Sequence, residues 1–354
     1  MRIAQVAPLY ESVPPARYGG TERVVAYLTD ELVRQGHDVT LFASGDSTTS
    51  ARLVAIRERS IRLDATVIDP LADHILMLEK VLQRAAEFDI VHFHVDYLHF
   101  PLSRRMVTPQ LTTLHGRLDL PDLQAIFDEF HDMPVASISD AQRRPLPQAN
   151  WCGTVHHGLP DLLHRPCLQP DDYFAFIGRI SPEKRVDRAI EIAQRLQVPL
   201  KVAAKIDRAD REYFEEHVRQ LFEHPLVEFI GEISEGEKTA FLGQARAVLF
   251  PVDWPEPFGL VMIEAMACGT PVVAFRCGSV PEVIEPGVNG FIVDDVEEGT
   301  VAAAKAALLD RAGVRAAFER RFSAGRMARD YVALYEQLIA AAGKNPRPAR
   351  VVAA

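Results

Sequence analysis

From end to end this chain alternates short apolar runs with longer segments of helical period, the pattern of parallel sheets covered by helices. Ile3–Ala7, Val39–Ala43, Ile90–Phe93 and Leu111–Leu114 read as buried strands, followed by Val135–Ile138 and Thr154–His156. Between the first two, Thr21–Gln35 sets Val24, Val25, Leu28, Leu32 and Val33 on one helical face, and Gly36 is placed to cap it. The periodicity lapses over Gly158–Asp172, where Pro160, Pro166 and Pro170 mark a linker. It then restarts with strand Tyr173–Ile177, helix Pro182–Leu196, strand Leu200–Ala204, helix Arg208–Phe222 and strand Val227–Ile230. A helix near Glu235–Gln244, strand Ala247–Phe250, a helix from about Gly259 to Ala267 and strand Pro271–Ala274 follow, and a helix at Ala324–Ala341 closes the chain. The expected α/β architecture is two Rossmann-like parallel-sheet domains, 1–165 and 166–323, facing each other across a cleft, with 345–354 a frayed tail. Ligands of such folds bind outside the carboxyl ends of the strands.

Composition narrows the functions open to such a fold. At 354 residues, 48% hydrophobic and 25% charged, the chain has material for two cores. Asp plus Glu outnumber Lys plus Arg, 49 to 39, so a nucleic-acid partner or broad membrane adhesion is not expected. A local basic pocket for a small anion remains open. No run of about 18 apolar residues occurs, and no charged-then-apolar segment precedes the first strand. Cys152, Cys167, Cys268 and Cys277 show no metal-binding spacing and read as buried thiols of a reducing cytoplasm. No resident cofactor or metal is expected.

Three loops break local rules. Arg17-Tyr18-Gly19-Gly20-Thr21 opens the first helix with a glycine pair in place of a G-x-G-x-x-G turn; paired glycines allow close approach to a ligand, or are simply a turn. In Gly178-Arg179-Ile180-Ser181-Pro182-Glu183-Lys184, Ser181 fits an N-cap and Pro182 the first helical position. Lys184 would then sit in the first turn, beside the positive end of the helix dipole. With Arg179 nearby, two cations there call for an anion such as a diphosphate; the plainer reading pairs Lys184 with Asp187. The third loop, Trp254-Pro255-Glu256-Pro257-Phe258-Gly259-Leu260, holds Glu256 extended between prolines and starts a helix with no capping side chain. Glu264 follows on that otherwise apolar helix, where a carboxylate is costly unless hydrogen-bonded. Sugar and ribose hydroxyls would serve as donors.

Glu256 and Glu264, with seven residues between them, match the E-x7-E signature of retaining GT-B glycosyltransferases, and the chain resembles their family 4, the glycosyl transferases group 1. Gly178-Arg179…Glu183-Lys184, Gly269-Thr270-Pro271, Pro281-Glu282-Val283-Ile284, Gly287-Val288-Asn289-Gly290 and Thr113-Leu114-His115-Gly116 carry the same resemblance. It implies a retaining, metal-independent hexosyltransferase using a nucleotide-diphosphate sugar as co-substrate. Arg179 and Lys184 would hold the diphosphate, Glu264 the ribose, and Glu256 with the N–H groups of Phe258, Gly259 and Leu260 the transferred sugar. Gly19 and Gly20 would approach the donor, and His115 the reacting carbon. The closing helix, 324–344, would cross back to the first domain. The stretch from Arg17 to Arg23 resembles bacterial glucosyltransferases, which makes UDP-glucose the expected donor, GDP-mannose the next, and a hydroxyl acceptor the partner. Weak peripheral membrane contact is compatible with this reading.

The chain departs from relatives at Ala203-Ala204-Lys205, where many have a glycine-rich turn, and at His156-His157-Gly158, where many have Asn-Gly. His92, His94 and His99 look like a metal cluster but read as a polar strand end. Asp96 is open to a place facing the acceptor, and Arg104 and Arg105 to an anionic acceptor or lipid headgroup, although adjacent arginines on a helix more often form a solvated face. Competing functions are a nucleotide-sugar 2-epimerase on the same fold and a non-catalytic nucleotide-sugar-binding protein.

Overall fold

In the computed structural model, which describes residues 1–16 and 19–344, two parallel sheets account for all of the named strands. Arg17, Tyr18 and the expected tail at 345–354 lie outside the described residues. The chain divides into two compact units, one made of Met1–Gly158 with the residues from Ala324 on, the other of Leu159–Ser323.

The first unit holds β1 (Arg2–Val6), β2 (Asp38–Ala43), β3 (Arg52–Ala55), β4 (Ile90–Phe93), β5 (Gln110–Thr113), β6 (Pro134–Ser137) and β7 (Asn150–Thr154). Their order is β3-β2-β1-β4-β5-β6-β7, all parallel. Central strands are apolar on both faces because helices cover both; Ile3, Ala4 and Val6 of β1 are fully buried. Gln5 is the polar exception, equally buried. The Gly20–Arg34 helix buries Val24, Val25, Leu28 and Leu32. Gly36, at φ +86°, ends it, with the His37 N–H bonded back to the Leu32 carbonyl at 3.1 Å.

The last helix, Ala324–Lys344, belongs to this unit, and its Tyr331 and Tyr335 are fully buried. Tyr335 meets Gln5 and His92, and Tyr331 meets Thr113. Two elements stand here that the periodicity does not reveal. β3 is an edge strand, half exposed, so it lacks a continuous apolar run. The Pro70–Arg84 helix, capped by Asp69, leaves Leu71, Ile75 and Leu76 exposed, which blurs its amphipathic face.

The second unit holds β8 (Phe174–Arg179), β9 (Leu200–Lys205), β10 (Val227–Gly231), β11 (Ala247–Phe250), β12 (Val272–Phe275) and β13 (Gly290–Val293). Their order is β10-β9-β8-β11-β12-β13, again parallel. The unit opens and closes at one place: the Leu159 N–H donates to the Phe322 carbonyl at 2.9 Å, and Leu159 bridges Ser323. The proline-rich stretch after Leu159 has no sheet partners for its carbonyls. Arginines of the Arg311–Arg321 helix supply them instead, Arg311 bonding Cys167 O and Arg315 bonding Asp161 O and His164 O.

Four sequence expectations change. The strand expected over Thr154–His156 lies earlier, as β7 at Asn150–Thr154. The helix expected over Pro182–Leu196 is a 3-10 turn, Pro182–Lys184, then an α-helix, Val186–Leu196, separated by Arg185 at φ +51°. A non-glycine residue there costs about 1 kcal/mol or more. Ion pairs from the Arg185 guanidinium to Asp187 and Asp253, both at 2.8 Å, hold the conformation. The helix expected over Arg208–Phe222 is a mixed segment containing a π-turn at Phe214–Val218. Of the four cysteines, all free thiols, only Cys268 is buried, and burial pushes its thiol up to about 12. Among the described residues, no helix is long and apolar enough to cross a membrane.

Candidate active site

Where the strand order of a parallel sheet reverses, the loops leaving the two central strands diverge and open a crevice at their carboxyl ends. In the second unit those strands are β8 and β11. The loop after β8 carries Lys184 and the loop after β11 carries Glu256, and the Asp253 N–H ties the two backbones by donating to Glu183 O at 2.8 Å. Lys184 Nζ lies 2.5 Å from Glu256 Oε2, the same oxygen that accepts from Trp254 Nε1 at 2.9 Å. The ammonium also lies 5.2 Å from the centre of the Trp254 ring. One carboxylate, one ammonium and one indole therefore form a single, largely buried cluster.

The break at Arg185 places Lys184 just before the Val186–Leu196 helix and not in its first turn. Lys184 and Arg179 meet separate sets of protein carboxylates. Glu256 takes Lys184, while Arg179 at the end of β8 is ringed by Glu183 at 2.9 Å, Asp210 at 3.6 Å and Asp207 at 3.8 Å. Burial, reinforced by Glu183 and Asp207 and opposed by Arg179, holds the Asp210 carboxyl above its ordinary range. Asp187 pairs with Arg185, not with Lys184. Lys205, the last residue of β9, pairs with Asp207 at 2.7 Å and is half exposed.

The Glu256 loop is fixed from the other side by residues after β12. The Ser279 N–H donates to Glu256 O at 3.0 Å, Ser279 Oγ donates to Phe258 O, and the Cys277 thiol bonds Trp254 O. Gly278 lies so close that an added Cβ would stand 2.3 Å from the Glu256 carbonyl oxygen. Beyond the loop, Gly259 at φ +80° starts the Leu260–Ala267 helix with no side-chain cap. A Cβ on Gly259 would stand 2.8 Å from Met262 Cε, so both conformation and space demand glycine.

Glu264, on that helix, is 2% exposed. Its charge is met by Lys238 of the Glu235–Gly243 helix, Nζ to Oε1 at 2.8 Å, and Lys238 also reaches Glu235 at 3.2 Å. His164 adjoins them, hydrogen-bonded through Nδ1 to Thr239. His164, Glu235 and Glu264 are close enough to share an ion, their ligand atoms lying within 4.8 Å of one another. The Lys238 ammonium already bonds both carboxylates, so a metal would have to displace it.

The remaining expected residues lie in the first unit. Gly19 precedes the Gly20–Arg34 helix, packed so that a Cβ would meet Pro15 at 2.8 Å, and Gly20 is its exposed first residue. His115 follows β5, its Nε2 2.9 Å from His94 Nδ1 and its ring stacked on His157 at 5.4 Å. Burial pushes the His115 imidazole down to about 3, so it is neutral. His92, His94 and His99 are not a polar strand end but buried, hydrogen-bonded core residues. Asp96 has a left-handed backbone, φ +48°. Arg104 pairs with Glu129 and Asp132, while Arg105 bonds the Pro101 carbonyl.

Two family models cover nearly all of this architecture: residues 18–165 match Glycosyltransferase Family 4, and 168–323 match Glycosyl transferases group 1. The chain belongs to the family 4 glycosyltransferases. It therefore transfers a sugar from a nucleotide sugar, on a GT-B fold. Among curated relatives, it is 27% identical to the glycogen synthase of Mycobacterium tuberculosis over 92% of this chain and 89% of that one. The structure of AviGT4, a glycosyltransferase involved in avilamycin A biosynthesis, superposes with a TM-score of 0.74 at 27% identity, covering 96% and 98% of the two chains. Anabaena HepE in complex with UDP-glucose shares the fold, with a TM-score of 0.72 at 18% identity over 96% and 100%.

In this glycosyltransferase several residues beside the motif have partners that the sequence does not announce. Trp254 lies inside the signature segment yet bonds the signature glutamate itself. Lys238 stands 26 positions from Glu264 on another helix, and only the Ser234-x-x-Glu237 capping box marks where that helix starts.

Proposed function

We propose that this glycosyltransferase is a retaining, metal-independent enzyme that moves a hexose, glucose from UDP-glucose in the first instance, to a hydroxyl acceptor. The observation that carries this is the Lys184–Glu256–Trp254 cluster at the β8/β11 crevice. An arriving diphosphate draws the ammonium away from Glu256 and frees that carboxylate to accept hydrogen bonds from the sugar. Arg179 exchanges its carboxylate ring for phosphate oxygens in the same way. As the bond from the anomeric carbon to the diphosphate breaks, negative charge grows on the leaving group, and these two preorganised cations stabilise it. The N–H groups of Phe258, Gly259 and Leu260 orient the sugar, and Gly19, Gly20 and His115 are read as further donor-binding residues. Retention follows from attack on the face the diphosphate leaves, a donor phosphate oxygen taking the acceptor proton as the new bond to oxygen forms. The nucleotide sugar bound by HepE makes UDP-glucose the first donor to assay.

Incubation with UDP-glucose, GDP-mannose and related donors, with nucleotide release as the readout, tests the reading. Slow release from UDP-glucose, unaffected by a chelator, is the expected result. Conversion of the nucleotide sugar to its epimer without release would overturn it.

Glu264 is read as the ribose acceptor. Glu264→Gln keeps its shape and removes its charge, and a hydrogen bond to a charged group is worth about 1.5–3 kcal/mol. The donor KM is expected to rise about tenfold with kcat nearly unchanged, and the penalty for a 2′-deoxyribose donor is expected to shrink in the variant. An unaltered KM would remove Glu264 from the ribose site.

A further inference from the structure

Behind His115 runs a chain of buried polar groups that the proposed chemistry does not use. Tyr335 OH accepts from Gln5 Nε2 at 3.1 Å and lies 2.7 Å from His92 Nδ1. Gln5 Oε1 lies 2.7 Å from His94 Nε2, and His94 Nδ1 lies 2.9 Å from His115 Nε2. Gln5 is fully buried and His94 nearly so. Burial holds both His94 and His115 neutral.

A neutral imidazole has one N–H and one lone pair. An amide oxygen only accepts, so the His94 proton is on Nε2, pointing at Gln5. His94 Nδ1 is then a bare acceptor, and the hydrogen in its contact with the next ring must sit on His115 Nε2. That leaves His115 Nδ1 with a lone pair. This atom is buried and has no hydrogen-bond partner among the described residues, the state of an acceptor held for a hydroxyl donor.

We propose that Gln5 and His94 are positioning residues that fix His115 as the Nε2–H tautomer, so that its Nδ1 accepts a hydrogen bond from a hydroxyl of the transferred sugar. The tautomer is a property of the protein alone, whereas its use rests on the reading of His115 as a sugar contact. Tyr335 anchors the amide at the far end, which makes the closing helix part of the device. The opposite amide orientation would reverse every hydrogen in the chain and present His115 to the ligand as a donor.

Two measurements on the full chain test this. Long-range proton–nitrogen correlation on histidine-labelled protein, with the His115 signal assigned from its loss in His115→Ala, is expected to show His115 protonated on Nε2 alone. Gln5→Met is expected to mix the tautomers. In kinetics with UDP-glucose, Gln5→Met is expected to lower kcat/KM about three- to tenfold, the worth of one neutral hydrogen bond. Inhibition by free UDP, which lacks the transferred hexose, is expected not to change. In a His115→Ala background the same substitution is expected to cost nothing further, because its effect passes through the missing ring. A His115 protonated on Nδ1, or equal costs of Gln5→Met in both backgrounds, would overturn the proposal while leaving a slow His115→Ala intact. An unimpaired His115→Ala would remove His115 from the reaction and the proposal with it.

Discussion

Lys184→Ala is expected to lower kcat at least about tenfold, toward the ~10²–10³ that loss of one preorganised charge-stabilising donor costs. The ammonium is mostly buried between Glu256 and the Trp254 ring, so no neighbouring water replaces it at the same strength. Its loss also leaves Glu256 with an uncompensated charge, and that charge repels an incoming diphosphate. The donor KM is therefore expected to rise as well. Lys184→Arg separates the two effects: it keeps the charge, restoring KM more than kcat, because a planar fork does not reproduce an ammonium's geometry. Steady-state nucleotide release with saturating UDP-glucose reads both parameters. An unchanged kcat in Lys184→Ala would take this residue out of the mechanism.

Gly278→Ala is expected to be as severe although the residue touches no substrate. The new methyl would stand 2.3 Å from the Glu256 carbonyl oxygen and 2.5 Å from its nitrogen, against backbone that no rotamer change can clear. Gly278 itself is at φ +50°, a conformation that alanine resists. The Glu256 loop must shift, and a displacement of about 1 Å at a reacting site costs on the order of 10²-fold. The expected result is a fall in kcat/KM of about that size. Affinity for the free nucleotide should fall less than kcat/KM, since the Glu264–Lys238 pair lies outside the displaced loop. Equal losses in nucleotide affinity and turnover would show general unfolding of the unit instead, and thermal melting would report it.

The strands were the most legible part of this chain. Ile90–Phe93 and Ala247–Phe250 occupy the residues that their apolar runs mark, because a strand buried on both faces leaves no polar position to confuse its ends. Gly36 likewise fixes a helix end, since few other residues adopt its backbone without cost. Arg185 was illegible for the complementary reason. Nothing local prefers a left-handed arginine, and the ion pairs that hold it come partly from Asp253, in the loop after the neighbouring strand β11. The π-turn at Phe214–Val218 escapes because helical periodicity does not distinguish neighbouring helix types over a few residues.

At the site, the motif glutamates were readable but their partners were not. An apolar helix with one carboxylate declares that a donor exists, yet not whether it is a ligand or Lys238. The same holds for the histidines. Alternate positions at the end of β4 put His92 and, one residue past the strand, His94 on one side, but only the fold brings Gln5 from β1 and Tyr335 from the last helix to them.

The second unit begins at Leu159 and ends at Ser323, with a hydrogen bond from Leu159 to Phe322 joining its two ends. It is thus an uninterrupted cassette whose entry and exit coincide, while the first unit is assembled from both ends of the chain. Units built this way are the ones most readily grafted. A corresponding segment from a relative, spliced between Gly158 and Ala324, would carry its own sheet, its own signature glutamates and its own lysine partners. Evolution or an engineer could exchange the whole cassette as a block, leaving the seven-stranded unit untouched.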